Sequence, residues 1–159
     1  MEVEARLHEW RAFSASVGYW NFSDDNRRQA LQLAWREGLW IRPRYRLSGR
    51  IDLYASNNSR VNAAYFNPRS DRSASLSLTG AWRTYRWYER DFVQELSFSG
   101  GAYWQESFGT ESISGFEYAH RWSLDDRFYL RYGIGRTLRH YDGQQSGRSY
   151  LTLDMDWRF

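Results

Sequence analysis

Residues 151–159, Leu151-Thr152-Leu153-Asp154-Met155-Asp156-Trp157-Arg158-Phe159, alternate apolar and polar side chains without a break. A β-strand sends successive side chains to opposite faces, so this segment has one greasy face and one charged face. A soluble sandwich strand also alternates. An outer-membrane barrel needs the same pattern for a different reason: lipid on one side, a polar lumen on the other.

Composition separates the two. Aromatic residues make up 19% of the chain, including nine Trp and twelve Tyr, far more than a soluble core of this size requires. Their apolar rings and polar tips suit a membrane–water boundary. No segment approaches the roughly 18 apolar residues of a transmembrane helix. A barrel needs no such run, because only every second residue meets lipid. Cysteine is absent, which removes disulfides and thiolate metal sites. The net charge is only +3, and the arginines are dispersed along the chain, so no nucleic-acid partner is expected.

Period-2 alternation between turn signals yields eight strand candidates: Arg11–Phe22, Arg27–Trp40, Arg44–Asn57, Ser73–Trp87, Phe92–Gln105, Ser112–Leu124, Phe128–Tyr141 and Arg148–Phe159. The expected fold is therefore all-β, an antiparallel up-and-down transmembrane outer-membrane β-barrel with eight strands in this chain. Residues 1–10 do not alternate cleanly and are expected to form an irregular arm or the remnant of a preceding segment, with the barrel over 11–159. Met1-Glu2-Val3-Glu4-Ala5-Arg6 lacks the apolar stretch of a signal peptide, as in a mature fragment or a piece of a longer chain. Connections at 41–43, 88–91 and 125–127 are short; those at 23–26, 58–72, 106–111 and 142–147 are longer. Bacterial barrels separate short periplasmic turns from long outer loops in this way. The C-terminus is then periplasmic. Closure in one chain would set Arg11–Phe22 beside Arg148–Phe159.

The two faces divide cleanly. Leu31, Leu33, Trp35, Leu76, Leu78, Trp82, Leu151, Leu153, Met155 and Trp157 fall on the lipid side. Asp52, Tyr85, Glu95, Tyr103, Glu117, Tyr150, Asp154 and Asp156 fall on the other, among Arg36, Arg46, Arg50, Arg83, Arg121, Arg131 and Arg158. Charges in a lumen need partners or water, so any one of them can simply be half of a cross-strand ion pair. The longest connection, 58–72, carries Tyr65-Phe66-Asn67-Pro68, expected to fold back over the barrel mouth with Asn67 and Pro68 setting the turn, either as a lid that contacts exiting sugar or as a hydrophobic latch that only stiffens the rim.

Several segments, in order, resemble the C-terminal barrel of the poly-β-1,6-N-acetyl-D-glucosamine export porins, the PgaA family. They are residues 53–60 (LYASNNSR), 64–73 (AYFNPRSDRS), 86–92 (RWYERDF), 101–105 (GAYWQ), 118–122 (YAHRW), 141–143 (YDG) and the terminal Trp157-Arg158-Phe159. The resemblance runs from about Trp10 onward. It implies a bacterial outer-membrane porin exporting a partly deacetylated, biofilm-forming poly-N-acetylglucosamine. Family members resemble a periplasmic tetratricopeptide-repeat region followed by a sixteen-stranded barrel, so eight strands would be the C-terminal half of a larger porin, partnered by the missing half or a second copy. On this reading Tyr85, Tyr103 and Tyr150 stack on sugar rings. Asp52, Glu95, Glu117, Asp154 and Asp156 attract free amino groups. The lid residues touch exiting polymer.

The alternative is a small structural barrel whose lumen is filled by side chains, serving as scaffold or loop display. Eight strands enclose just enough room for side chains, whereas sixteen leave a channel. An enzyme is not expected. His8, His120 and His140 show no metal spacing and sit beside no evident nucleophile. No cofactor is implied.

Overall fold

The alternating segments pair into one antiparallel sheet whose strand order follows the sequence. The computed structural model describes residues 2–60, 67–106, 108–125, 127–141 and 144–158. Nine strands are formed among them: β1 (Glu2–His8), β2 (Arg11–Asn21), β3 (Arg27–Ile41), β4 (Tyr45–Asn58), β5 (Ser70–Trp87), β6 (Arg90–Gln105), β7 (Gly109–Ser123), β8 (Phe128–Tyr141) and β9 (Gln144–Trp157).

Two expectations are corrected at the start of the chain. Residues 1–10 are not an irregular arm: Glu2–His8 is a strand, with Val3 opposite Ala15 and Ala5 opposite Phe13. The turn after it is Glu9-Trp10, which has no Gly, Pro, Asn or Asp to mark it. The count is therefore nine strands, not eight.

The sheet is also open. Among the described residues β1 pairs only with β2, and β9 only with β8. Arg11–Asn21 lies between β1 and β3, not beside β9 as single-chain closure requires. The side chains at mid-sheet agree with an open sheet. The inward positions at mid-sheet are Ser73, Ser75, Ser77 and Thr79 on β5 and Ser97, Ser99 and Gly101 on β6. Such small groups suit a wide interior more than the side-chain-filled interior of an eight-stranded ring.

The loops depart from expectation in three places. The connection 22–26 is a tight turn with Asp25 at φ 63°, and 59–69 is the long one. The expected loops at 106–111 and 142–147 are instead short, because β7 begins at Gly109 and β9 at Gln144. Gly109 adopts φ 81°, a left-handed conformation that lets the chain reverse over three residues.

The cross-strand register fixes the faces, since directly paired residues point the same way. One row runs Leu153, Tyr132, His120, Gln94, Trp82, Tyr45; the next runs Leu151, Ile134, Tyr118, Leu96. This apolar face is open: Leu151 is 82% exposed and Leu153 74%. The polar face is sheltered. Ala34, Val93 and Ala119 are buried there, along with Ser56, Asp71 and Gln105. The expected division of Leu151, Leu153, Met155 and Trp157 from Thr152, Asp154 and Asp156 is what the register displays.

Candidate functional site

Seven of the eight inward candidates share the sheltered face: Asp52, Glu95, Tyr103, Glu117, Tyr150, Asp154 and Asp156. Tyr85 does not. A β-bulge between Arg83 and Tyr85 inserts Thr84, so Tyr85 pairs with Phe92 on the exposed apolar face. A bulge adds one residue to one strand, and every side chain beyond it changes sides relative to a simple count.

Near the end of the sheet that carries the connections 88–89 and 124–127, the candidates form an ion network across β6 to β9. Arg131 is its hub. Its guanidinium donates to Glu117, lies 3.3 Å from Glu95 Oε2 and 3.8 Å from Asp154 Oδ2. Glu95 Oε1 also faces Arg121 Nε at 3.7 Å, and the Tyr150 hydroxyl donates to Glu117 Oε2 at 3.1 Å. Gly135 makes this possible. It sits directly opposite Tyr150, and a Cβ there would collide with the phenol ring. Asp156 lies 3.5 Å from Arg158.

Toward the opposite end a groove of about 480 Å³ crosses the same face. Its floor is Ser73, Ser75, Ser77 and Ser99; its sides include Gln32, Asp52, Tyr54, Asp71, Tyr103 and Arg139. Asp52 is held bidentately by Arg50 at 2.7–2.9 Å. Asp71, an inward carboxylate that alternation alone left unremarked, is buried, accepts from Ser56, and lies 3.4 Å from the Tyr103 hydroxyl. Arg28 donates to the Tyr54 hydroxyl at 2.7 Å. Each inward carboxylate among the expected contacts therefore has an arginine neighbour. What the groove presents is mainly hydroxyls, amides and phenol rings, a surface for hydrogen bonding and stacking.

The root of the long loop is clamped beside this groove. Asn26 and Asn58 are both buried and joined at 3.2 Å; Asn58 also donates to the Pro68 carbonyl at 2.7 Å. Asn67 donates to the Arg60 carbonyl at 3.1 Å, tying one limb of the loop to the other. Of the expected lid, Asn67 and Pro68 are at this root, while Tyr65 and Phe66 lie outside the described residues.

On the exposed face, His120 is fully engaged. Its two ring nitrogens lie 3.0 Å from the Tyr132 hydroxyl and 2.9 Å from that of Tyr118, which in turn bonds Gln94. Phe92 stacks on Trp122 beside it, with centroids 4.2 Å apart. This aromatic belt with satisfied polar tips is what a membrane–water boundary asks of a barrel wall.

Comparison with known proteins bears on the whole sheet. The poly-beta-1,6-N-acetyl-D-glucosamine export proteins of Escherichia coli strain K12 and Escherichia coli O157:H7 are each 28% identical over 152 residues. The match takes in 96% of this chain and 19% of theirs, so the chain spans about a fifth of the length of these curated relatives. A solved structure described as a bacterial polysaccharide outer membrane secretin superposes with a TM-score of 0.93 at 27% identity, over 99% of this chain and 55% of the other. These relatives are described by export and secretion, not by catalysis, in line with the reading of the chain as no enzyme. The family model of the PgaA membrane beta barrel domain matches residues 1–159 from end to end, and the chain belongs to that family.

Proposed function

We propose that this chain is part of the wall of an outer-membrane pore that exports a partly deacetylated poly-N-acetylglucosamine, with the C-terminus on the periplasmic side. One observation carries the reading: an open sheet whose inward middle is built from Ser, Thr and Gly instead of interlocking large side chains. Small inward groups at mid-sheet suit a wide aqueous channel, whereas the alternative of a filled eight-stranded barrel calls for large side chains at these positions. The remaining wall is supplied by another segment of the parent protein or by a second copy. The export proteins and the secretin that the chain resembles support the polymer class.

Within that pore Tyr103 and the serine floor contact the sugar, with Asp52 as an acceptor whose charge Arg50 already balances. Glu95, Glu117, Tyr150 and Asp154 brace the wall through Arg131, and Asp156 pairs with Arg158. Recognition by hydrogen bonds and stacking suits transport, which needs binding weak enough to release. The root of the long loop, tied by Asn67 and by the Asn58 bond to the Pro68 carbonyl, borders this surface.

Single-channel conductance of the assembled porin in planar bilayers tests this. Oligomers of N-acetylglucosamine should block the current reversibly, and Tyr103→Ala should weaken the block by about tenfold, the loss of roughly one aromatic contact. A conductance indifferent to the oligomers would overturn the reading.

A further inference from the structure

Five arginines, Arg42, Arg44, Arg46, Arg83 and Arg121, line a single notch of about 30 Å³. It lies on the lumenal face, at the end where the connections 42–44 and 88–89 turn the chain. The alternation places them together. Arg46 opposes Ala81, Arg83 and Arg121 both oppose Val93, and the backbone of Arg83 bonds the carbonyl of Arg44.

Their counter-charges fall short. Arg83 has Asp91 at 3.3 Å, and Arg121 has Glu95 at 3.7 Å, which it shares with Arg131. Neither Nε makes a well-directed hydrogen bond, although both atoms are buried. Arg46 lies over the Trp10 ring at 4.5 Å, a contact that holds the guanidinium without neutralising it. Arg42 and Arg44 pair with no carboxylate among the described residues. Five positive charges thus face two carboxylates, an excess of three. One of the five is already fixed in place, because Arg83 Nη1 donates to the Pro43 carbonyl at 3.1 Å.

We propose that this notch is an oxyanion site, taking the phosphate or carboxylate group of a ligand between the guanidinium forks. Planar forks match the paired oxygens of such groups, and arginine rings favour anions in pores. An oxyanion held by Arg44 together with Arg46 and Arg83 would supply the missing counter-charge. A neutral hexosamine carries no such group, so the site is separate from the serine-floored groove and does not depend on the polymer that groove admits.

The test uses the folded protein in detergent micelles, titrated calorimetrically in chloride-free buffer with inorganic phosphate in one arm and succinate in the other. Saturable binding of either anion is expected, and the arm that responds tells whether phosphate or carboxylate chemistry is preferred. Arg44→Gln should weaken binding by at least about tenfold, one charge-assisted pair. Arg44→Lys, which keeps the charge and loses the fork, should weaken it by less. Arg136→Gln removes one charge from the opposite face, where Arg136 pairs with Phe116, and should bind as the parent does. Absence of saturable binding in both arms overturns the proposal. So does equal weakening by Arg44→Gln and Arg136→Gln, which would mean diffuse attraction to a basic protein.

Discussion

Arg131 is the residue on which the lumenal network turns, with Glu95, Glu117 and Asp154 all within reach of one guanidinium. Its side chain is partly open to the lumen, 23% exposed, so the full cost of stranding three carboxylates in a dry interior does not apply. Arg131→Gln should lower stability by about 1–3 kcal/mol, read from urea or thermal unfolding in micelles, with a larger loss at low salt than at high. No change at either salt would show that the network is ornamental. Gly135→Ala is a sharper probe. The added methyl takes the space of the Tyr150 ring, so the Tyr150–Glu117 bond should break and stability fall by roughly 1–3 kcal/mol. Gly135→Ala combined with Tyr150→Ser should recover most of that loss. Alternation by itself assigns Tyr150, Glu117 and Arg131 to the lumen. It was silent on Gly135, because a glycine in a strand says that something approaches closely but not what.

At the scale of the strand, facing survives wherever the period of two runs unbroken. In β9, Leu153→Arg should cost about 2–4 kcal/mol near mid-membrane, whereas Thr152→Arg, on the lumenal side, should cost much less. Equal losses in chemical unfolding would mean the register is off by one. The β5 bulge is where this logic stopped short. A single inserted residue, Thr84, sends Tyr85 outward, and nothing in Arg83-Thr84-Tyr85-Arg86 announces it. Tyr85→Cys should therefore react with a lipid-soluble maleimide and resist a membrane-impermeant one added to the lumen; the opposite pattern would return Tyr85 to the pore. β1 escapes alternation for a related reason. Val3, Ala5 and Leu7 do alternate with Glu4, Arg6 and His8, but the run is seven residues long and its turn lacks the usual punctuation. The β7 start at Gly109 was hidden by the polar Thr110-Glu111-Ser112, which reads as loop until its pairing with β6 is known.

For the molecule as a whole, the decisive property is that the sheet has two ends. The outer rims of β1 and β9 leave backbone groups without partners, and in lipid each such group costs several kcal/mol. In a bilayer both rims should be covered, so amide hydrogen exchange in β1 and β9 of the assembled protein should be as slow as in β5 and β6. Fast exchange confined to the rims, in a particle with the mass of one chain, would contradict this. Alternation cannot reveal the opening, because every strand of a half-ring looks like a strand of a full one; the pointer to it in the sequence is the resemblance to a sixteen-stranded family, and the small Ser73, Ser75, Ser77 and Ser99 agree with it. That same row has a kinetic meaning. Hydroxyls on one face of a strand recur about every 6.8 Å, two residues of rise, all of similar strength. If the proposed export reading holds, a chain threading past them would meet a shallow washboard instead of one deep well, and each slip of a repeat would trade one set of hydrogen bonds for an equivalent set. Friction would then stay low and residence at any step brief, so that the speed of passage would be set by how fast material is fed in, not by how tightly the wall holds it.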